Sequence, residues 1–273
     1  MIARIFNGTV RVDAIAPDDR GLAYGDGLFE TMRVHRGSVP WWDAHWARLA
    51  RGAYRLRLHL PDEAQARSEA TALFADGSGG VLKLLVTRGS GGRGYLPSPD
   101  AVPTWFLSRH EPPPPRRNGL QLRWCETRLA LQPALAGLKH CNRLEQVLAR
   151  AECADTGMDE GLMRDNEGFV VSATAANLFV LGDGRWTTPP VDRCGVAGVC
   201  RAHLLPLLDA HEERLSVENV ESADAVFLCN AVRGILPVAR LDARAWTPHP
   251  AVDGVRRELL QIHPGFAIDA ENS

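Results

Sequence analysis

Apolar and polar positions recur along this chain at the two periods that mark short strands and helices of a few turns. Ile2–Phe6 runs into the turn Asn7-Gly8 and Thr9–Val12 runs back, which predicts a hairpin. Asp18-Asp19-Arg20-Gly21 reads as a loop. Tyr24-Gly25-Asp26-Gly27 then leads into a strand with Phe29, Thr31 and Arg33 on one face. Asp43 is placed to cap a helix to about Leu56, with Trp46, Leu49, Ala50 and Ala53 as its apolar stripe. His45 and Arg48, three apart, share a face that reads as solvated. Pro61 opens a second helix to about Phe74, closed by Asp76-Gly77-Ser78-Gly79-Gly80. Val81–Thr87 and Thr104–Ser108 are strands on either side of a glycine-rich loop.

Residues 111–119 carry four consecutive prolines, which favour an extended spacer without a core of its own. Beyond it, Leu120–Trp124 is a strand. Asn142 to about Thr156 is an amphipathic helix with Leu144, Val147, Leu148 and Ala151 on its apolar side. Glu160–Arg164 and Phe169–Ser172 flank one turn; Leu178–Leu181 and Trp186-Thr187 flank another. A helix opens at Gly195–Arg201 and runs to about Leu208, Ala225–Cys229 is an apolar strand, and Ala251–Ile262 is a last helix. Mixed elements with frequent hairpins predict an α+β fold rather than a regular βαβ array. The expected organisation is a small N-terminal α/β domain over 1–110, a linker over 111–119 and a larger mixed-sheet, barrel-like domain over 120–273.

Composition narrows the function classes. A formal charge of −2 gives no general attraction for nucleic acid or an acidic membrane. No run approaches 18 apolar residues, so no membrane helix is expected, and the first residues are too polar for a signal peptide. The six cysteines form no CxxC pair, which favours free thiols in a reducing cytoplasm and no metal site.

One compositional feature points to chemistry. Of 31 basic residues, only Lys83 and Lys139 are lysines. Arginine stays protonated in proteins, whereas a lysine amine can lose its proton and bond covalently to a carbonyl. Lys139, in Leu138-Lys139-His140-Cys141-Asn142-Arg143, is therefore a candidate for chemistry that arginine cannot perform. The loop Arg88-Gly89-Ser90-Gly91-Gly92-Arg93-Gly94-Tyr95 is neither a Rossmann nor a Walker loop. Its arginines suit an anionic small molecule, and a plain flexible loop fits it equally. Gly195–Arg201 puts small residues at a helix start, where backbone N–H groups suit phosphate.

Taken in order, His45-x-x-Arg48-Leu49, the Arg88–Tyr95 loop, Leu138–Val147, Ala175-Ala176-Asn177-Leu178-Phe179, Gly195–Arg201 and Cys229-Asn230-Ala231 resemble the fold-type IV pyridoxal 5'-phosphate enzymes. That family includes branched-chain and D-amino-acid aminotransferases. The loop RGSGGRGY, the run LKHxNRLEQV and the CNA triplet look most like its 4-amino-4-deoxychorismate lyase branch. The resemblance spans about residues 1–240. It implies that Lys139 holds pyridoxal phosphate covalently and that Arg48 contacts the cofactor phosphate. It also implies further cofactor contacts from Asn177, from the Gly198, Val199 and Cys200 backbone, and from Asn230 and Ala231. Arg93 and Tyr95, with Arg88, Thr31 and Arg33, match substrate-facing positions. A small-molecule substrate and a homodimer are implied as well.

One position departs from the family pattern. Many members carry a glutamate five residues before the Asn of Asn-Leu-Phe, paired with the pyridine nitrogen; here that position is Ser172. A carboxylate favours the protonated nitrogen, and a hydroxyl does so far less. The weaker electron sink fits an elimination with a good leaving group better than a transamination. Glu167 is the nearest alternative carboxylate, but its hairpin position disfavours it.

Overall fold

The computed structural model describes residues 2–114, 118–154 and 156–266. Part of the proline-rich linker, 115–117, lies outside the described residues. The chain forms two compact units: Met1–Pro112 with Leu138–Asn142, and Pro113–Gly137 with Arg143–Ser273.

The first unit is built on a five-stranded antiparallel sheet. The expected hairpin is β1 (Ile2–Asn7) and β2 (Val10–Val12). A short helix, α1 (Arg20–Tyr24), replaces the expected loop. Asp19 caps it by accepting from Gly21 N at 2.8 Å, and one capped turn needs no apolar period, so the pattern could not reveal it. β3 (Gly27–Val34), α2 (Trp42–Leu56), α3 (Glu63–Leu73), β4 (Gly80–Thr87) and β5 (Thr104–His110) follow, in sheet order β2-β1-β5-β4-β3. Asp43 does not cap α2; it lies in the first turn and pairs with Arg67. Asp62 rather than Pro61 starts α3, accepting from Gln65 N at 2.8 Å.

One face of this sheet is the core. Leu28, Met32, Leu82, Leu84 and Leu107 are buried, as are Leu49 and Ala53 on α2 and Ala66 and Ala70 on α3. Each such leucine or methionine contributes roughly 1.5–3 kcal/mol by leaving water. The other face is less covered, and Phe29, Thr31 and Arg33 lie on it half-buried.

The second unit carries a mixed sheet. β6 (Leu120–Trp124) is followed by α4 (Leu144–Ala151), β7 (Glu160–Arg164), β8 (Val170–Ala173), β9 (Asn177–Gly182) and β10 (Arg185–Thr188). Then come α5 (Val199–Leu207), β11 (His211–Glu212), α6 (Val217–Glu221), β12 (Ala225–Asn230), β13 (Gly234–Leu241), β14 (Arg244–Ala245) and α7 (Pro250–Ile262). The sheet order is β11-β10-β9-β12-β13-β6-β7-β8, with β14 on β13; β13 to β6 and β6 to β7 are parallel. Leu122, Leu162, Leu178, Leu228 and Val226 form the core of this sheet.

One expectation needs correction here, and two elements have no counterpart in the sequence reading. The helix after Lys139 is shorter than the periodicity suggested, and its apolar stripe faces outward. Leu144, Val147 and Leu148 are exposed, and only Ala149 is buried. Periodicity identifies an amphipathic face, not what covers it. The five-residue α6, held by a capping box between Ser216 and Asn219, is too short to show a period. β13 carries Pro237 within it, a residue that weakens the strand pattern in sequence. All six cysteines are free thiols.

Candidate active site

The lysine segment joins the first unit as a short extension of β3. Phe29 N donates to Lys139 O at 3.0 Å and Cys141 N to Gly27 O at 2.9 Å. Leu28 and His140 form an antiparallel bridge. Asn142 Nδ2 donates to Gly25 O at 3.1 Å. Gly25 sits at φ +65°, and a Cβ there would lie 2.7 Å from Asn142 Oδ1, so the turn admits only glycine. Asn142 thus anchors the backbone beside Lys139, while Glu145 accepts from Ala130 N at 2.8 Å. The Lys139 amine lies 4.3 Å from the centroid of the Phe29 ring, a cation–π distance.

β3 also delivers a buried acid that the motifs did not single out. Glu30 sits in the row Leu28, Glu30, Met32, Val34, which faces α2. His45 Nδ1–H donates to Glu30 Oε2 at 2.6 Å and Arg48 Nε–H to Oε1 at 2.8 Å; Arg48 Nη2 also binds Oε2. His45 and Glu30 are each 1% exposed. The face of α2 read as solvated is therefore its buried face, joined to the core through ions. Burial would raise the Glu30 carboxyl, but Arg48 and His45 outweigh it and hold it at about 2. Burial lowers the pKa of His45 despite the carboxylate, and Arg48 and Lys139 push the same way. His45 is then a neutral imidazole whose proton is on Nδ1.

The glycine-rich loop is anchored by arginines. Arg88, expected to face substrate, is buried instead. Its Nε and Nη2 bind the Asp26 carboxylate at 2.7 and 3.0 Å, Nη1 binds Arg57 O at 2.6 Å and Nη2 binds Leu56 O at 2.8 Å. It closes the C-terminus of α2, whose last carbonyls lack helical partners. Arg20 holds the far end of the loop through Gly94 O and Tyr95 O, both at 2.9 Å. Arg93 and Tyr95 are exposed, and the Tyr95 ring lies 5.6 Å from that of Tyr24.

In the second unit, two asparagines shape two loops. Asn177 Nδ2 donates to Val196 O at 2.9 Å. Its Oδ1 would lie 2.0 Å from a Cβ at Gly198, so glycine alone fits there. Gly198 is the N-cap of α5 and brings no side chain to the first turn. The N–H groups of Val199 and Cys200 therefore open an uncapped helix end, a ready anion cradle. Burial, with Cys229 alongside, pushes the Cys200 thiol well up, so it stays protonated. Asn230 Oδ1 accepts from Val232 N at 3.0 Å and Arg233 N at 2.8 Å, and Nδ2 donates to Ala175 O at 3.2 Å. Ala231 is buried in the turn so formed. Ser172 is half-buried on β8, opposite Met163. Glu167 is paired with Arg193 in an exposed bridge, which occupies the alternative carboxylate. Among the described residues no cluster of His, Cys, Asp or Glu is placed to hold a metal ion, and no helix is long and apolar enough to cross a membrane.

Residues 27–241 match the family described as Amino-transferase class IV. The chain is 37% identical over 235 residues to an aminodeoxychorismate lyase of Vibrio harveyi, covering 82% of this chain and 86% of that one. A D-alanine aminotransferase of Bacillus licheniformis is 26% identical over 282 residues, covering 93% and 95%. The crystal structure of 4-amino-4-deoxychorismate lyase from Pseudomonas aeruginosa is 43% identical and superposes with a TM-score of 0.87, covering 94% of this chain and 98% of that one. The fold-type IV architecture expected from the motifs is thereby borne out, and the chain belongs to the class IV amino-transferase family.

Proposed function

We propose that this protein is a pyridoxal 5'-phosphate-dependent lyase that converts 4-amino-4-deoxychorismate to 4-aminobenzoate and pyruvate. The observation that carries the reading is its likeness, at 43% identity across 94% of the chain, to a lyase of that name. The residues present fit the cofactor. Lys139 offers an amine beside an aromatic ring, and α5 offers an uncapped N-terminus whose glycine leaves no room for a side chain. Lys139 would hold the cofactor, Arg48 and the Gly198–Cys200 and Asn230-Ala231 backbone would serve its phosphate, and Thr31, Arg33, Arg93 and Tyr95 would serve the substrate.

When bound, pyridoxal phosphate supplies an electron sink for charge that develops at the amine-bearing carbon. The Lys139 amine would take the proton from that carbon. The neighbouring C–O bond breaks, the ring becomes aromatic, and the enolpyruvyl group leaves. Lys139 returns its proton to the methylene carbon of that group, which completes pyruvate. Atoms and electrons balance without an external oxidant.

Ser172 favours elimination over transamination, because a hydroxyl protonates the pyridine nitrogen less than a carboxylate would. Ser172→Glu should change the cofactor absorption spectrum and raise transaminase relative to lyase turnover; an unchanged spectrum and ratio would remove this role. The rival activity, amino-acid transamination, is marked by a keto acid instead of pyruvate plus 4-aminobenzoate. We also propose a homodimer acting in the cytoplasm, with folding domains near 1–110 and 120–273. The exposed Leu144, Val147 and Leu148 on α4 support self-association. The test of the activity is incubation of the purified holoenzyme with aminodeoxychorismate, with both products measured.

A further inference from the structure

We propose that Arg128 and Arg164 form a second binding site, which takes the phosphate group of a small molecule between their guanidinium groups. Neither arginine enters the proposed reaction, so the site stands or falls independently of the lyase reading.

The backbone brings the two side chains together. Leu129 and Asp165 form a parallel bridge, and Leu129 N donates to Arg164 O at 2.9 Å. Arg128 and Arg164 each stand one residue before that bridge. They are therefore register neighbours, on backbones about 4.8 Å apart. Leu129 and Asp165 are buried, and side chains alternate between faces along an extended segment. The two arginines thus leave the opposite face together. Trp124 on β6 pairs with Leu162, two residues before Arg164, and so shares that face. The Arg164 guanidinium carbon is 5.3 Å from the centre of the Trp124 ring.

Both guanidinium groups are short of acceptors. Among the described residues, Arg128 Nη1 and Arg164 Nε are buried and make no hydrogen bond, and neither arginine forms an ion pair. The one hydrogen bond Arg164 makes, from Nη2 to Cys125 O, is long at 3.3 Å. Glu221 and Asp242 attract Arg164 only from a distance. Both are already engaged: Glu221 Oε1 accepts from Trp124 Nε1 at 2.9 Å and Asp242 Oδ2 from Trp124 N at 3.2 Å. Burial and the charge of Arg128 lower the pKa of Arg164 despite those acids. Two adjacent half-buried cations with orphaned donors are unfavourable in the ligand-free protein. A phosphate group supplies what is missing. Its dianion balances two positive charges, and its free oxygens can accept from two planar forks at once. A carboxylate brings a single charge and fewer oxygens, so it fits less well.

The test uses the holoenzyme, so that the cofactor's own phosphate site is already filled. Inorganic phosphate, glycerol phosphate and acetate are titrated by calorimetry at constant ionic strength. The proteins are wild type, Arg164→Leu and Arg164→Lys, with Arg128→Met as the second neutral variant if Arg164→Leu does not fold. Wild type should bind a phosphate at one site with its cofactor spectrum unchanged, and should bind acetate roughly tenfold more weakly or worse. The neutral variant should weaken phosphate binding by roughly tenfold or more. Arg164→Lys keeps the charge but not the fork, and should fall between. Phosphate should raise the thermal unfolding temperature of wild type but not of the neutral variant. Tighter binding of inorganic phosphate would mark the free ion as the ligand, and tighter binding of glycerol phosphate an organic phosphate. A wild type that binds neither at millimolar concentration overturns the proposal, as does a folded neutral variant that binds phosphate as tightly as wild type. Phosphate binding lost in a variant that still releases pyruvate at the wild-type rate would set this site apart from the active site.

Discussion

Removing the charge of Glu30 should destabilise the protein while leaving its shape almost unchanged. In Glu30→Gln the side chain keeps its size, but Arg48 loses the counter-charge it binds through Nε and Nη2. Two routes give the size of the effect. Breaking a buried ion pair by removing one partner typically costs about 3–5 kcal/mol. Independently, the carboxyl is held at about 2 against an ordinary 4.5, and at about 1.4 kcal/mol per unit that is roughly 3 kcal/mol at neutral pH. Because the folded value is depressed, this stability is complete above pH 4.5 and is lost as pH falls through about 2. His45 adds a separate loss. Its folded pKa is lowered from 6.5, so the unfolded chain binds its proton more readily and stability declines as pH drops below 6.5. Urea unfolding of wild type and Glu30→Gln, followed by tryptophan fluorescence, should show a difference of about 3 kcal/mol at pH 7 that narrows only below pH 4.5. A difference below about 1 kcal/mol, or one that does not change down to pH 2.5, would refute the role of the ion cluster.

Arg88→Met should lower stability by about 2 kcal/mol, because it leaves Asp26 with Arg20 as its remaining arginine partner and frees the end of α2. Unchanged unfolding together with a raised KM would return Arg88 to the substrate. Gly198→Ala forces a Cβ to within 2.0 Å of Asn177 Oδ1, so the start of α5 must move. We expect such a variant to fold and to lose pyridoxal phosphate on gel filtration, and full retention would argue against the cradle.

Much of the fold was written in local patterns. The Asn7-Gly8 hairpin, the strand at Gly27–Val34 and the last helix all announce themselves by turn chemistry and periodicity. Elements held by a single cap or interrupted by proline did not, as α1 and β13 show. Lys139 was legible because composition made it rare. Glu30 was legible too, since placing Phe29, Thr31 and Arg33 on one face of β3 puts an acid on the other, among Leu28, Met32 and Val34. What pattern could not supply was its partners, because His45 and Arg48 come from α2 and look like surface residues until the helix packs. Arg88 shows the reverse error. An arginine in a glycine-rich loop suggested a ligand, and only the carbonyls of Leu56 and Arg57 reveal its structural task.

The most direct measurement is product formation from aminodeoxychorismate by holoenzyme of wild type and of Lys139→Ala. Wild type should release 4-aminobenzoate and pyruvate in equal amounts, and the alanine variant should release neither while remaining folded. Turnover that survives in Lys139→Ala, or a wild type that loads pyridoxal phosphate and yields a keto acid from amino acids but no pyruvate here, would contradict a lyase acting through Lys139.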